Sequence, residues 1–238
     1  MDKLKEVRAA SYPDKWDVPI YTYAEAAYYL GLHRGTLRTW VMGRTIPYMG
    51  QLRRLEPIIK AADVRSGLMS FYNLAEAHIL ASSRYKYGVP FRNIRNAILY
   101  LQKRYPSPHP LLSKDFDTDG VDLFIKGMTD VENLSKQGQL GFKPILDLFL
   151  HRIEFDEKFR PKKVWPLIKG QTESEKIVSM VFGVSAGRPT VDGTGVPVMM
   201  LWKRSQAGED IEEIAEDYDI EVTRVKKAIE YIEHIQAA

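Results

Sequence analysis

The 238-residue chain is 45% hydrophobic and 27% charged, the composition of an ordinary globular protein, and no stretch approaches the ~20 apolar residues of a membrane span. It contains no cysteine, which excludes disulfides, thiolate zinc sites, iron–sulfur clusters and a thiol nucleophile. The net charge of +3 conceals a gradient: residues 1–105 carry 17 Lys+Arg against 8 Asp+Glu (+9), whereas residues 106–238 carry 17 against 23 (−6), so the first half is the one suited to a polyanion.

Thr22-Tyr23-Ala24-Glu25 has the form of a capping box, and Tyr23, Ala26, Ala27 and Leu30 recur at helical spacing before Gly31 ends the helix. A second helix is predicted from His33 to Met42. It buries Leu37, Trp40 and Val41 and leaves Arg34, Thr36, Arg38 and Thr39 outward. Two short helices across a tight glycine turn, the second rich in Arg and Thr, describe a helix-turn-helix whose second helix enters the major groove. An ordinary helical hairpin with a solvated basic face fits the same pattern, so the next segment carries weight. Residues 33–65 hold seven basic side chains against Glu56 and Asp63, and the breakers and short apolar segments from Ile46 to Tyr72 suit a β-hairpin wing. Arg44, Arg53, Arg54 and Arg65 are then candidates for phosphate or minor-groove contact. A third helix opens at Asn73 with Glu76 three residues on, and His78 on its apolar stripe reads as a packed core histidine. Gly88-Val89-Pro90 interrupts the chain, and a fourth helix, Phe91 to Arg104, presents Ile94, Ala97, Ile98 and Leu101.

Residues 21–103 resemble the DNA-binding head of MerR-type regulators in Tyr21-Thr22-Tyr23-Ala24-Glu25-Ala26-Ala27, Gly31-Leu32, Thr36-Leu37-Arg38, and Gly88-Val89 leading to Ile94-Arg95-Asn96-Ala97-Ile98. His33 stands where that family often starts the recognition helix with Ser or Thr, and Thr39 and Val41 replace an aromatic and an acidic residue. No long heptad helix follows residue 103 and no cysteine is available for metal sensing, so the resemblance implies the head alone.

Pro106-Ser107-Pro108-His109-Pro110 is the strongest boundary in the chain. Beyond it a β-hairpin is expected over residues 113–125, a helix from Phe142 to His151, and strand-like segments at Ile153–Phe155 and Val164–Leu167. The acids Asp115, Asp117, Asp119 and Asp122 invite a calcium reading, but Lys126 occupies the place of the terminal glutamate of an EF-hand loop, and no metal is expected. The segment reads as a small mixed α/β platform.

After a strand-like run at 177–182, the tail holds Gly187-Arg188-Pro189, Gly193-Thr194 and Pro197-Val198, then three helices. The first has Val198, Leu201, Trp202 and Ser205, closed by Gly208. The second is capped by Asp210, and the third shows Val225, Ala228, Ile229 and Ile232. The last two meet at the short Asp219-Ile220-Glu221 turn, again a helix-turn-helix by geometry. Residues 176–236 resemble a bacterial family of small antitoxin-like proteins with a GRP…GTR…PV signature, Gly195 standing in place of its common Arg. Head, middle and tail together look like the longer VapB-type antitoxins. That resemblance implies repression of an operon and silencing of a cognate PIN-like ribonuclease toxin.

Residues 187–238 contain 6 Lys+Arg and 11 Asp+Glu, so phosphate contact by the tail is disfavoured, although Arg224, Lys226 and Lys227 could form a local patch. The five histidines are scattered and no HExxH, GxSxG, GxGxxG or P-loop is present, which argues against an enzyme and leaves no cofactor to expect. The mixed-charge opening Met1-Asp2-Lys3-Leu4-Lys5-Glu6 is unlike a secretory signal, so a cytoplasmic location is expected.

The fold class expected is α+β, mainly α. It comprises a winged helix-turn-helix (18–105), a mixed α/β connecting and dimerisation segment (106–172) and a three-helix C-terminal domain (173–238). The expected function is an antitoxin-type repressor that binds double-stranded operator DNA and a toxin, as a homodimer and without a membrane. The alternative is a one-component regulator whose middle segment binds a small ligand.

Overall fold

The computed structural model describes residues 14–85, 91–104, 106–113, 116, 144–167 and 175–236. It is an α+β protein, mainly helical. Strand β1 (Tyr21–Thr22) leads into α1 (Tyr23–Tyr29). The capping box is formed: Glu25 N donates to Thr22 Oγ1 at 3.1 Å, and Thr22 N donates back to Glu25 Oε2 at 2.9 Å. Gly31 takes the left-handed backbone after α1, and α2 (Arg34–Met42) buries Leu37, Trp40 and Val41. His33 is the cap of α2, its Nδ1 accepting from Gly35 N at 3.1 Å. An imidazole here does the work of the Ser or Thr oxygen that the sequence lacks.

The wing is shorter than the Ile46–Tyr72 run suggests. It is the hairpin of β2 (Arg44–Tyr48) and β3 (Gln51–Leu55), paired in register from Arg44↔Leu55 to Tyr48↔Gln51. Gly43 joins it to α2 at φ 68°, where a Cβ would lie 2.1 Å from the Leu55 carbonyl oxygen. Strand β4 (Leu68–Met69) pairs with β1 and closes the head. Helix α3 runs from Phe71 to Tyr85, two residues ahead of the start expected at Asn73. Ser70 provides the first-turn acceptor, receiving Asn73 N at 3.3 Å. Asn73 Oδ1 accepts from Ser70 N at 3.1 Å and from Ala62 N at 2.9 Å, so Asn73 closes a reciprocal cap instead of opening the helix. Helix α4 (Phe91–Arg104) buries the expected Ile94, Ala97, Ile98 and Leu101.

One apolar cluster carries the head through the proline-rich stretch. It joins Leu37, Trp40, Phe71 and Leu101 to Leu111, Leu112, Phe116, Leu146, Leu150, Ile153, Val164 and Met180. His78 lies wholly inside the protein, its Nε2 3.0 Å from the Phe149 carbonyl, and burial pulls its pKa down to about 3, so it packs as a neutral ring. Helix α5, residues 144–150, supplies Phe149 and falls within the helix expected over 142–151. The hairpin expected over 113–125, with its four aspartates, lies outside the described residues apart from Ser113 and Phe116.

A four-stranded antiparallel sheet follows in the order β5 (Ile153–Phe155), β6 (Pro161–Val164), β7 (Val178–Val181), β8 (Thr190–Val191). Strand β6 ends where the sequence suggested it would begin, at Val164. Trp165 N still bonds the Arg152 carbonyl across the β5–β6 pair (2.9 Å), but Pro166 has no N–H to continue the ladder. Because β8 belongs to the GRP-containing segment, the tail contributes directly to this sheet.

Helices α6 (Val198–Gln206), α7 (Ile211–Asp217) and α8 (Val222–Gln236) enclose a second cluster with Val198, Leu201, Ile214, Val225, Ala228, Ile229 and Ile232. Asp210 caps α7 by accepting from Glu212 N at 2.8 Å. The periodicity of α8 did not single out Tyr231, yet it is fully buried and donates to the Tyr29 carbonyl of α1 at 2.5 Å. Tyr28 packs against the same cluster, so the second core reaches into the helix-turn-helix.

Candidate nucleic-acid interface

Of the residues expected outward on α2, Arg34 and Arg38 are exposed and one turn apart, whereas Thr36 is half-buried on another side of the helix. Thr39 is half-buried and its hydroxyl donates to the Gly35 carbonyl at 2.8 Å, so it braces the helix. On the wing, Arg44 is exposed opposite Leu55, and Arg53 is exposed with its guanidinium 5.3 Å from the centroid of the Tyr48 ring. Arg54 is turned homeward. It donates to the Met42 carbonyl at the C-terminus of α2, at 2.5 Å, and thereby fastens the wing to that helix. Arg65 is exposed in the turn that Ser66 N closes onto Asp63 Oδ1 at 3.0 Å.

Two anchors of the head escaped the sequence reading. Arg95 on α4 donates to the Glu56 carbonyl at the foot of the wing. His109, inside the proline-rich stretch, sits with Nδ1 3.0 Å from Glu76 Oε2 and Nε2 3.0 Å from Asp17 Oδ1, stacked on Tyr72. Burial opposes its charge, but the two carboxylates outweigh burial and push its pKa up to about 9. Glu76 is wholly buried, which raises its pKa, and the imidazole opposes that rise. The group ties the 3-10 turn Lys15–Asp17 to α3 and the proline stretch. A lone histidine among prolines carries no periodic signal that would have revealed it.

In the tail, each residue of the motif has a local task. Gly187 is buried at φ 72°, and a Cβ there would lie 2.0 Å from the Tyr21 hydroxyl. Arg188 is exposed near the Tyr29 side chain, where its charge opposes the rise that burial causes in the Tyr29 pKa. Pro189 is buried and its carbonyl accepts from Val198 N at 3.1 Å. Thr194 donates to the Val191 carbonyl (2.9 Å) and accepts from Val196 N (3.1 Å), next to Gly193 at φ 79°. Pro197 begins α6. Gly195 adopts φ 74°, a conformation an arginine would hold only under strain.

The cations of α8 are taken by the tail itself. Arg224 donates to the Asp192 carbonyl, Lys226 meets Glu212 at 3.3 Å and Lys227 meets Glu175. A cleft of about 550 Å³ opens between α1 (Glu25, Tyr29), the motif (Arg188, Pro189) and α6 (Met199, Met200, Lys203). Among the described residues, no cluster of three or more His, Asp or Glu could hold a metal, and no helix is long and apolar enough to cross a membrane.

Comparison with known proteins matches two separate segments of the chain to two families. Residues 19–98 match a family described as "Putative DNA-binding HTH domain", and residues 182–232 match one described as "Protein of unknown function (DUF433)". Over 92% of its length the chain is 29% identical to a Mycobacterium tuberculosis protein named "Putative antitoxin VapB45", covering 95% of that protein. It is 25% identical to Rv2308 of the same organism across 93% of each. The crystal structure of Rv2018 from M. tuberculosis superposes with a TM-score of 0.68 at 27% identity, covering 91% of this chain and all of the other. The chain is therefore similar along nearly its whole length to a protein named as a VapB-type antitoxin, with a head that matches a DNA-binding helix-turn-helix family and a tail that matches DUF433.

Proposed function

We propose that the protein is an antitoxin-type transcriptional repressor. It binds double-stranded operator DNA through residues 18–105, as a homodimer on a two-fold symmetric site. Residues 106–172 connect and dimerise, and residues 173–238 form the antitoxin-like domain. The remainder beyond the head silences a cognate PIN-like ribonuclease toxin. The protein acts by binding, without catalysis, in the cytoplasm.

The observation that carries this reading is a contrast in cations. Arg34 and Arg38 stand exposed on α2, whereas Arg224, Lys226 and Lys227 on α8 are each bound to an oxygen of the chain itself. Phosphate contacts supply most of a protein's affinity for DNA, so the available cations mark the DNA side. The similarity to a protein named as an antitoxin, and the acidic excess of the tail, support a toxin as the second partner.

The test uses the full chain, because the head shares its core with Leu111, Leu112, Leu146 and Leu150. Binding to the DNA upstream of its own gene should collapse in Arg34→Ala/Arg38→Ala and persist in Lys226→Gln/Lys227→Gln. The reverse result assigns DNA reading to α8. Co-expression with the product of the adjacent reading frame should yield a stable complex without ribonuclease activity; its absence removes the toxin from the reading.

A second reading, a regulator governed by a small ligand, has the cleft behind it, since about 550 Å³ is within the range of ligand sites. The cleft lies between head and tail instead of within the middle segment. This reading gains if a small molecule changes operator affinity and Met200→Trp, which fills the cleft, abolishes the response.

A further inference from the structure

The wing ends in an apolar tip that belongs to neither core. Tyr48, Met49 and Leu52 are 48%, 87% and 80% exposed. Pro47, the cross-strand partner of Leu52, is exposed beside them. The turn consists of Met49 and Gly50, both at positive φ (48° and 74°), the mirror-image turn that matches strand twist in two-residue hairpins. Gly, Asn or Asp occupy its first position easily; methionine does not. A long apolar side chain is thus held in a disfavoured backbone conformation, in solvent, where neither burial nor backbone preference accounts for it.

The flanks of the tip are cationic. Residues 43–55 contain Arg44, Arg53 and Arg54 and no carboxylate. Arg53 lies over the Tyr48 ring, which steadies both side chains. The hairpin springs from Gly43 at the end of α2, and the Arg54 bond to Met42 holds it there. Five strand residues extend about 17 Å, close to half of the ~34 Å repeat of B-DNA. With α2 in a major groove, a wing of this length reaches the neighbouring minor groove. Apolar side chains between arginines suit that groove: the cations meet its phosphate-lined walls, and Met, Leu or Pro can part a base step. The basic character of the hairpin, with Arg53 exposed beside Tyr48, makes duplex DNA the occupant that best complements this tip.

We propose that the wing tip, through Met49 and Leu52, inserts into the minor groove beside the site read by α2 and kinks the duplex there. This inference rests on the DNA-binding reading above.

The test measures the bend in DNA from upstream of the gene, by circular-permutation electrophoresis, with the full chain and with Met49→Gly, Leu52→Ser and the double variant. Thermal unfolding, oligomeric state and the salt dependence of binding are followed in parallel. Met49→Gly relieves the positive φ, so its fold should be as stable as the wild type or more so. The wild type should bend the duplex by about 20–90°. The double variant should lose half or more of that angle while its salt slope, set by arginines, is unchanged. A straight wild-type complex, or equal bends, overturns the wedge and leaves DNA binding intact. No complex at all overturns both. An unchanged bend with an altered oligomeric state makes the tip a protein contact and likewise overturns the wedge.

Discussion

The hydroxyl of Tyr21 donates to the carbonyl of Gly187 at 2.8 Å, across 166 residues of sequence. The two residues explain one another. Tyr21 opens the first strand of the head and is fully buried, and Gly187 begins the GRP motif at φ 72°. The motif glycine is therefore the point at which the tail admits a side chain of the head. With the Tyr231 bond to Tyr29 and the 4.0 Å stacking of Trp16 on Phe182, it joins the two ends of the protein.

Gly187→Ala should destabilise the protein by about 2–4 kcal/mol, because the new methyl both strains a left-handed backbone and meets the tyrosine. Tyr21→Phe should cost only about 1 kcal/mol for the lost hydrogen bond. In the double variant the two losses should fall short of their sum, since removing the hydroxyl makes room for the methyl. Urea unfolding of the four proteins measures the coupling; strict additivity would mean that the two residues do not act on one another.

The arginines of the DNA face should separate into classes. Arg34→Ala and Arg38→Ala should each weaken operator binding by about 1–3 kcal/mol where they reach bases. Arg53→Ala should weaken binding to all sequences alike and reduce the salt slope by about 0.9. Arg54→Ala should also lower folding stability, by about 1 kcal/mol, because its guanidinium holds the Met42 carbonyl. Anisotropy titrations over a salt series, paired with melting curves, distinguish the three behaviours. Equal stability of Arg53→Ala and Arg54→Ala would count against the anchoring role.

Gly43→Ala should uncouple the wing from α2. A Cβ there meets backbone, the Leu55 carbonyl, which no side-chain rotation can clear. Gly50→Ala provides the comparison, since nothing lies within 4 Å of its Cβ position and only the positive φ, about 1 kcal/mol, is at stake. DNA affinity should fall much further in the first variant. Similar losses in both would show that the glycine at 43 serves only its own backbone angle.

Two histidines should shape stability against pH in opposite directions. His109 is raised to about 9 in the folded protein, above the ~6.5 of an unfolded chain, so its contribution is full below about pH 6.5 and is lost as pH rises through 9. His78 is depressed to about 3, so the unfolded state gains the proton first and stability is lost as pH falls from about 6.5 toward 3. His109→Gln should therefore flatten the alkaline limb and leave the acid limb in place. Unfolding free energies between pH 4 and 10 provide the comparison, and an unchanged alkaline limb would remove His109 as its source.

The helices were legible in the sequence because their signals are local. The Thr22–Glu25 box, the Leu37-Trp40-Val41 stripe and the Asp210 cap are each complete within a few residues, and each folds as its spacing dictates. The charge gradient, likewise a property of composition, marks the first half as the one suited to a polyanion. What an individual charge or glycine does depended on neighbours distant in sequence. Arg53 and Arg54 are adjacent and chemically identical, yet strand alternation turns one over Tyr48 and the other back onto Met42. Arg224, Lys226 and Lys227 resembled a cationic patch until folding set Asp192, Glu212 and Glu175 against them. His109 and Tyr231 had no periodicity to reveal them, because their partners come from other elements. Local hydrogen bonding and apolar spacing thus determined the elements. Only long-range packing, which decides which polar groups leave water and which partners they meet, determined their roles.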